Sequence, residues 1–116
     1  MFGKSNNKVL GNSGEEIALK YLKNNGYKIL FSNFKTQIGE IDIIAKENGV
    51  IVFVEVKTRT SNYFGLPREA VNAHKQYKIR QVATQYLKKY SDVDNACRFD
   101  VIEILEGKIT HLKNCF

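Results

Sequence analysis

Residues 39–59, GEIDIIAKENGVIVFVEVKTR, constrain the fold more tightly than any other part of the chain. Two apolar runs meet at Asn48-Gly49, a dipeptide suited to a two-residue type I′ turn because both central positions need positive φ. That turn fixes the register, with residue 47 facing residue 50. Ile41 then faces Val56, Ile43 faces Val54 and Ala45 faces Val52, which makes one wholly apolar face. The other face sets Ile44 against Phe53, Asp42 against Glu55 and Glu40 against Lys57.

Directly opposed side chains lie about 4.5–5.5 Å apart at Cβ, where like charges destabilise a strand pair. Asp42 against Glu55 is therefore a local cost. A divalent cation would offset it, since Mg²⁺ takes oxygen ligands and usually keeps several waters. Lys57, two residues beyond Glu55 on the same face, is placed to stabilise developing negative charge. A plainer reading keeps these charges on a solvated sheet face, with Glu40 and Lys57 as a cross-strand ion pair. Ile44 and Phe53 share that face, which argues against full exposure.

The rest of the chain supplies partners for the hairpin. A helix is predicted from about Ser5 to Asn25, with Leu10, Gly14, Ile17, Ala18, Tyr21 and Leu22 as its apolar stripe and Gly26 as its stop. Gly11 and Gly14 permit close approach of another backbone. Glu15 lies beside the stripe, and Glu16 faces solvent. Tyr27 to about Phe34 reads as a first strand, 40–47 and 50–58 as the next two, and Thr60 to about Pro67 as a loop. A second helix, capped by Asn72, runs to about Tyr90 with Ile79, Val82, Ala83, Tyr86, Leu87 and Tyr90 as its stripe. Arg98–Leu105 and Lys108–Leu112 make a last strand pair around Glu106-Gly107. The order α-β-β-β-α-β-β predicts an α/β fold, one mixed sheet flanked by helices, in a single domain over residues 1–116.

Composition narrows the partners. Eighteen Lys and Arg against twelve Asp and Glu leave a net charge of +6, compatible with a polyanion. The second helix carries Lys75, Lys78, Arg80, Lys88 and Lys89, with Arg59 and Arg68 flanking the loop before it. These residues could meet phosphates or simply form a solvated face. Tyr63 and Phe64 could stack on splayed bases or cap the core. Asp100, inside the apolar run FDVIEI, suits a structural hydrogen-bond acceptor. Cys97 and Cys115 form no CxxC pair, and His74 and His111 stand apart in sequence, so no zinc site is expected. The N-terminus has no secretory apolar stretch, and the expected setting is cytoplasmic.

The residues also carry a resemblance. Asp42 followed by Glu55-Val56-Lys57 resembles the core of the PD-(D/E)XK nucleases, with Ile41 in place of the motif's proline. Gly11–Ala18, GEIDIIA at 39–45, FVEVKTR at 53–59, Phe64-Gly65-Leu66-Pro67 with Glu69-Ala70-Val71, Lys75, and Arg98-Phe99-Asp100-Val101 together resemble the small bacterial YraN-like family. The match runs from about residue 8 to 105. That family is similar in fold to archaeal Holliday-junction resolvases. The resemblance implies a restriction-endonuclease-like fold and a Mg²⁺- or Mn²⁺-dependent DNA endonuclease acting on phosphodiesters, with branched DNA as substrate.

The site so implied is Glu15, Asp42, Glu55 and Lys57, with Glu40 in support. Asp42, Glu55 and Glu15 would be the metal ligands, and the charge pattern would make Arg59, Arg68, Lys75 and Lys78 the nucleic-acid contacts. A homodimer would let such an enzyme cut two strands. Two alternatives remain at this level: a catalytically inactive nucleic-acid-binding module of the same fold, and a structural or protein-interaction domain.

Overall fold

The computed structural model describes residues 14–59, 71–91 and 95–116. Helix α1, described over 14–24, leads into strands β1 (Lys28–Lys35), β2 (Glu40–Glu47) and β3 (Val50–Arg59). Helix α2 (Ala73–Tyr90) and strands β4 (Cys97–Leu105) and β5 (Lys108–Leu112) follow. The order is the predicted α-β-β-β-α-β-β, a mixed α/β fold. The first part of the predicted helix, including Leu10 and Gly11, lies outside the described residues. So do the predicted 60–67 loop and Arg68.

The local signals act where the sequence places them. Asn48 (φ 50°) and Gly49 (φ 81°) make the tight turn, and Glu106 (φ 49°) and Gly107 (φ 82°) repeat it between β4 and β5. Asn72 caps α2, its side chain accepting the Lys75 amide at 2.9 Å. The five strands lie in the order β1-β2-β3-β4-β5. Neighbours are antiparallel except β3 and β4, which run parallel from Ile51 opposite Cys97 to Arg59 opposite Leu105. A parallel pair needs a crossover, and α2 lies within it.

The crossover and α1 cover opposite faces of the sheet. On one face, Ile79, Val82, Ala83, Tyr86 and Leu87 of α2 pack against Phe34, Ile41, Ile44, Phe53 and Phe99. On the other, Ala18 and Leu22 of α1 pack against Ile43, Ala45, Val52, Val54, Ile102 and Ile104. The central strand β3 is thus buried on both sides, and each fully buried Val, Ile or Phe contributes about 1.5–3 kcal/mol. Close contact of α1 depends on Gly14. A Cβ there would come within 2.3 Å of Thr58 Oγ1. Two expected core residues lie further out: Ile17 is 38% exposed and Tyr90 is 50% exposed.

The hairpin departs from its regular pattern near its open end. The β2–β3 ladder follows the predicted register from Glu47–Val50 to Ile43–Val54, and there the paired residues end. Ile41 does not share a face with Ile43. It sits with Phe34 and Ile44 under α2, while Ile43 and Ala45 face α1. Regular alternation would have kept Ile41 beside Ile43, so the strand changes face at Asp42. Its neighbour β1 is irregular alongside: Asn33 has φ 55°, and Phe31 and Phe34 both pack toward the aromatic rings of α2. Of the apolar face expected to extend through Ile41 and Val56, Val56 keeps its place against the α1 core and Ile41 leaves it.

Candidate active site

Because the ladder ends at Ile43–Val54, the β3 backbone beyond it needs another partner. Asp42 supplies one: its Oδ2 accepts the Val56 amide at 2.8 Å. This holds the Asp42 carboxyl beside Glu55, at the mouth of a cavity of about 310 Å³. Ile38, Gly39 and Glu40 line one wall, and Lys75, Lys78 and Ile79 of α2 line the other. Glu55 and Lys57 point in from β3. Glu40 itself is exposed.

The two acids divide their protonation. Burial, then a hydrogen bond and charge repulsion from Glu55, push the Asp42 carboxyl up to about 8. The Val56 amide opposes that rise, and Glu15 adds to it through space. Burial also disfavours charge on Glu55, which is 5% exposed. The hydrogen bond from Asp42, with Lys75 and Lys57 nearby, outweighs burial and holds Glu55 below the usual carboxylate range. At neutral pH Asp42 is therefore the protonated partner and donates to an ionised Glu55.

Two lysines converge on that carboxylate. Lys75 Nζ lies 2.5 Å and Lys57 Nζ 3.4 Å from Glu55 Oε2. Burial, with Lys75 close by, lowers the pKa of Lys57. Glu55, with Lys57, raises that of Lys75 against the cost of its burial. Lys75, expected on a phosphate-binding surface, is thus an immediate neighbour of the acids. Nothing local in the sequence marks this, because the contact is made across the crossover.

The remaining expected residues are placed differently. Glu15 is near enough to act electrostatically on Asp42. Among the described residues, however, no group of three or more His, Cys, Asp or Glu is gathered as a metal cage. Arg59 turns toward Glu103, with Nε 3.8 Å from Oε2. Arg68, Tyr63 and Phe64 lie outside the described residues.

A second polar centre lies apart from the cavity. Asp100 is fully buried and accepts from Arg98 Nε at 3.0 Å and from the Asn114 amide at 2.9 Å. His111 Nε2 lies 2.7 Å from its other oxygen, and Tyr21 OH lies 2.9 Å from His111 Nδ1. The structural role expected of Asp100 is met. The role of His111 was missed, although the hairpin turn could have shown it: Ile102 faces His111, and Asp100 is its diagonal neighbour.

Residues 14–104 match the model described as "Uncharacterised protein family UPF0102". A UPF0102 protein of Alkaliphilus oremlandii is 53% identical over 95% of this chain and 99% of its own length. One from Caldanaerobacter subterraneus subsp. tengcongensis is 50% identical over 97% and 98%. Another, from Persephonella marina, is 44% identical over 93% of each chain.

Proposed function

The chain belongs to the UPF0102 family, and with that as premise we propose that it is a metal-dependent phosphodiesterase of the PD-(D/E)XK kind, acting on DNA. One observation carries the reading: Asp42 and Glu55 converge in a cavity with Lys57 and Lys75 beside them. The ladder uses Asp42 to hold the Val56 amide, but it does not need Glu55 and two lysines beside it. Burying titratable groups together costs free energy, and such clusters concentrate where chemistry uses them.

The donor set fits a hard divalent cation. Asp42 and Glu55 offer carboxylate oxygens and share one proton, the place a cation would take. Mg²⁺ or Mn²⁺ would be held by these two acids and solvent, with Glu15 acting from further out. Mg²⁺ keeps several waters, so a cage of protein ligands is not required. When bound, such an ion supplies Lewis-acid polarisation of the phosphate and lowers the pKa of water.

The chain's own residues do the rest. Val56 fixes the Asp42 carboxyl through its amide, so the acid is oriented before any ligand arrives. Lys57, with its lowered pKa, stands where charge develops on a phosphate oxygen and can stabilise it. Lys75 neutralises Glu55 and would exchange that contact for phosphate or solvent as a cation enters. Lys78, exposed on the rim, would meet the neighbouring phosphate.

Branched DNA is the favoured substrate through the likeness to resolvases, and fold does not fix substrate. Incubation with linear, flapped and four-way DNA in Mg²⁺ or Mn²⁺ should give cleavage that chelator and Asp42→Asn each abolish. Binding without cleavage on all three substrates would instead make the protein an inactive binding module. Cleavage that survives Asp42→Asn would remove the cavity from the mechanism.

A further inference from the structure

The acidic cavity does not end the seam between α2 and the segment joining β1 to β2. Further along the same seam is a second cavity, of about 500 Å³, lined by Phe31, Phe34, Lys35, Gln85, Lys89 and Tyr90. Thr36 lines this cavity, and Ile38 and Gly39 line the acidic one. A tight turn joins them, with the Thr36 amide donating to Gly39 O at 2.8 Å. On the helix, Lys75 and Lys78 border the first cavity and Gln85 and Lys89 the second. At about 1.5 Å per residue, Lys75 and Lys89 are separated by about 21 Å along the axis. That is a few nucleotides of a strand.

The second cavity is built from aromatic rings. Phe34 and Tyr86 are buried and meet edge to face at 5.4 Å. Phe31 and Tyr90 lie outside them, 36% and 50% exposed, with centroids 5.9 Å apart. Lys89 Nζ lies 5.3 Å from the Tyr90 ring centroid, Lys35 is exposed on the rim, and among the described residues no acid lines the cavity.

We propose that Phe31 and Tyr90 form a stacking site for an unpaired base of the DNA strand whose phosphate lies at the acidic cavity. The proposal rests on the DNA reading above and adds a requirement for single-stranded character. Exposed rings offer a face to any base, and flanking lysines draw its phosphates, which is how single strands are held without sequence preference. A second copy of the chain fits this surface less well. A two-fold contact through this patch would bring the lysines of one copy, Lys35 and Lys89, toward those of the other, like charge against like.

The test uses the whole protein in chelator at low salt, with three labelled DNAs: oligothymidylate of about twelve nucleotides, an abasic strand of equal length, and a blunt duplex. The wild-type protein should prefer the base-bearing strand to the abasic one. Tyr90→Leu should weaken binding of the base-bearing strand about tenfold, within the range for losing one stacked base, and leave the abasic strand unchanged. Phe31→Leu should act in the same way. The ratio of the two affinities is read within each protein, so a loss of folded protein cancels.

Equal affinity for the base-bearing and abasic strands, or a ratio unmoved by both substitutions, overturns the stacking site while leaving the DNA reading intact. If none of the three DNAs binds, the DNA reading falls and takes the stacking site with it. A dimer that Tyr90→Leu converts to monomer would assign the patch to contact between copies and overturn the proposal.

Discussion

The Asp42 carboxyl accepts the Val56 amide at 2.8 Å, so a side chain of β2 closes the ladder that its own backbone has left. The hydrogen bond satisfies a β3 amide that would otherwise lack a strand partner. It also fixes a carboxyl beside Glu55. Structure and site share one residue, and the predictions below separate the two roles.

The first concerns Asp42 and pH in the absence of metal. Its folded pKa is raised to about 8, so above the ordinary carboxylate range the native state holds a proton that the unfolded chain has released. Stability should therefore fall as pH rises from about 5 to 8, at up to roughly 1.4 kcal/mol per pH unit, the limit for one proton. Glu55, held low, adds the opposite slope only below that window. Asp42→Asn keeps an acceptor for Val56 and carries no such proton. It should be as stable as the wild type at pH 5 and more stable at pH 8, measured by denaturant titration in chelator. A variant destabilised at both values would mean that the carboxylate serves only the hairpin.

The second concerns metal. A divalent ion that binds Asp42 and Glu55 must displace their shared proton, so Mn²⁺ affinity should rise by up to about tenfold per pH unit below pH 8. Mn²⁺ should broaden the resonances of residues 40–42 and 55–57 first, and raise Tm with the logarithm of its concentration once that exceeds Kd. A Tm indifferent to millimolar Mn²⁺, with no selective broadening, would exclude the site.

Lys78 supplies the third. It lines the acidic cavity from an exposed position on α2. If it meets a phosphate, Lys78→Gln should flatten the dependence of log Kd on log salt by about one unit and weaken all DNA substrates alike. An unchanged slope in a salt titration would place the phosphates elsewhere.

Asp100 gives the fourth, with no functional component. Removing a fully buried carboxylate leaves Arg98 and His111 without their shared acceptor, and Asp100→Ala should cost about 3–5 kcal/mol. The pKa of Asp100 is depressed: burial opposes its charge, but bonds from His111, Arg98 and the Asn114 amide outweigh burial. Its stabilisation is thus present above the usual carboxylate range and is lost as pH falls through the depressed folded value. The wild type should lose more stability over that acid range than the variant, which keeps only the loss due to Glu55, as monitored by circular dichroism.

What the sequence determined by itself was whatever depends on near neighbours. The Asn48-Gly49 and Glu106-Gly107 turns, the Asn72 cap, the β2–β3 register up to Ile43–Val54 and the element order all follow from φ preference, capping and periodicity over a few residues. The convergence of Asp42 and Glu55 was legible only in part: the turn carries register as far as Ile43–Val54, and beyond it the bond from the Val56 amide, not a ladder pair, sets Asp42 beside Glu55. Other features waited for the tertiary structure. Ile41 leaves the face of Ile43 because α2 offers it a core beside Phe34. Lys75 reaches Glu55, and Phe31 meets Tyr90, only after the crossover lays α2 on the sheet. The division of one proton between two acids was equally out of reach. Burial and charge act through space, and a one-dimensional pattern carries no distance between residues that the chain brings together last.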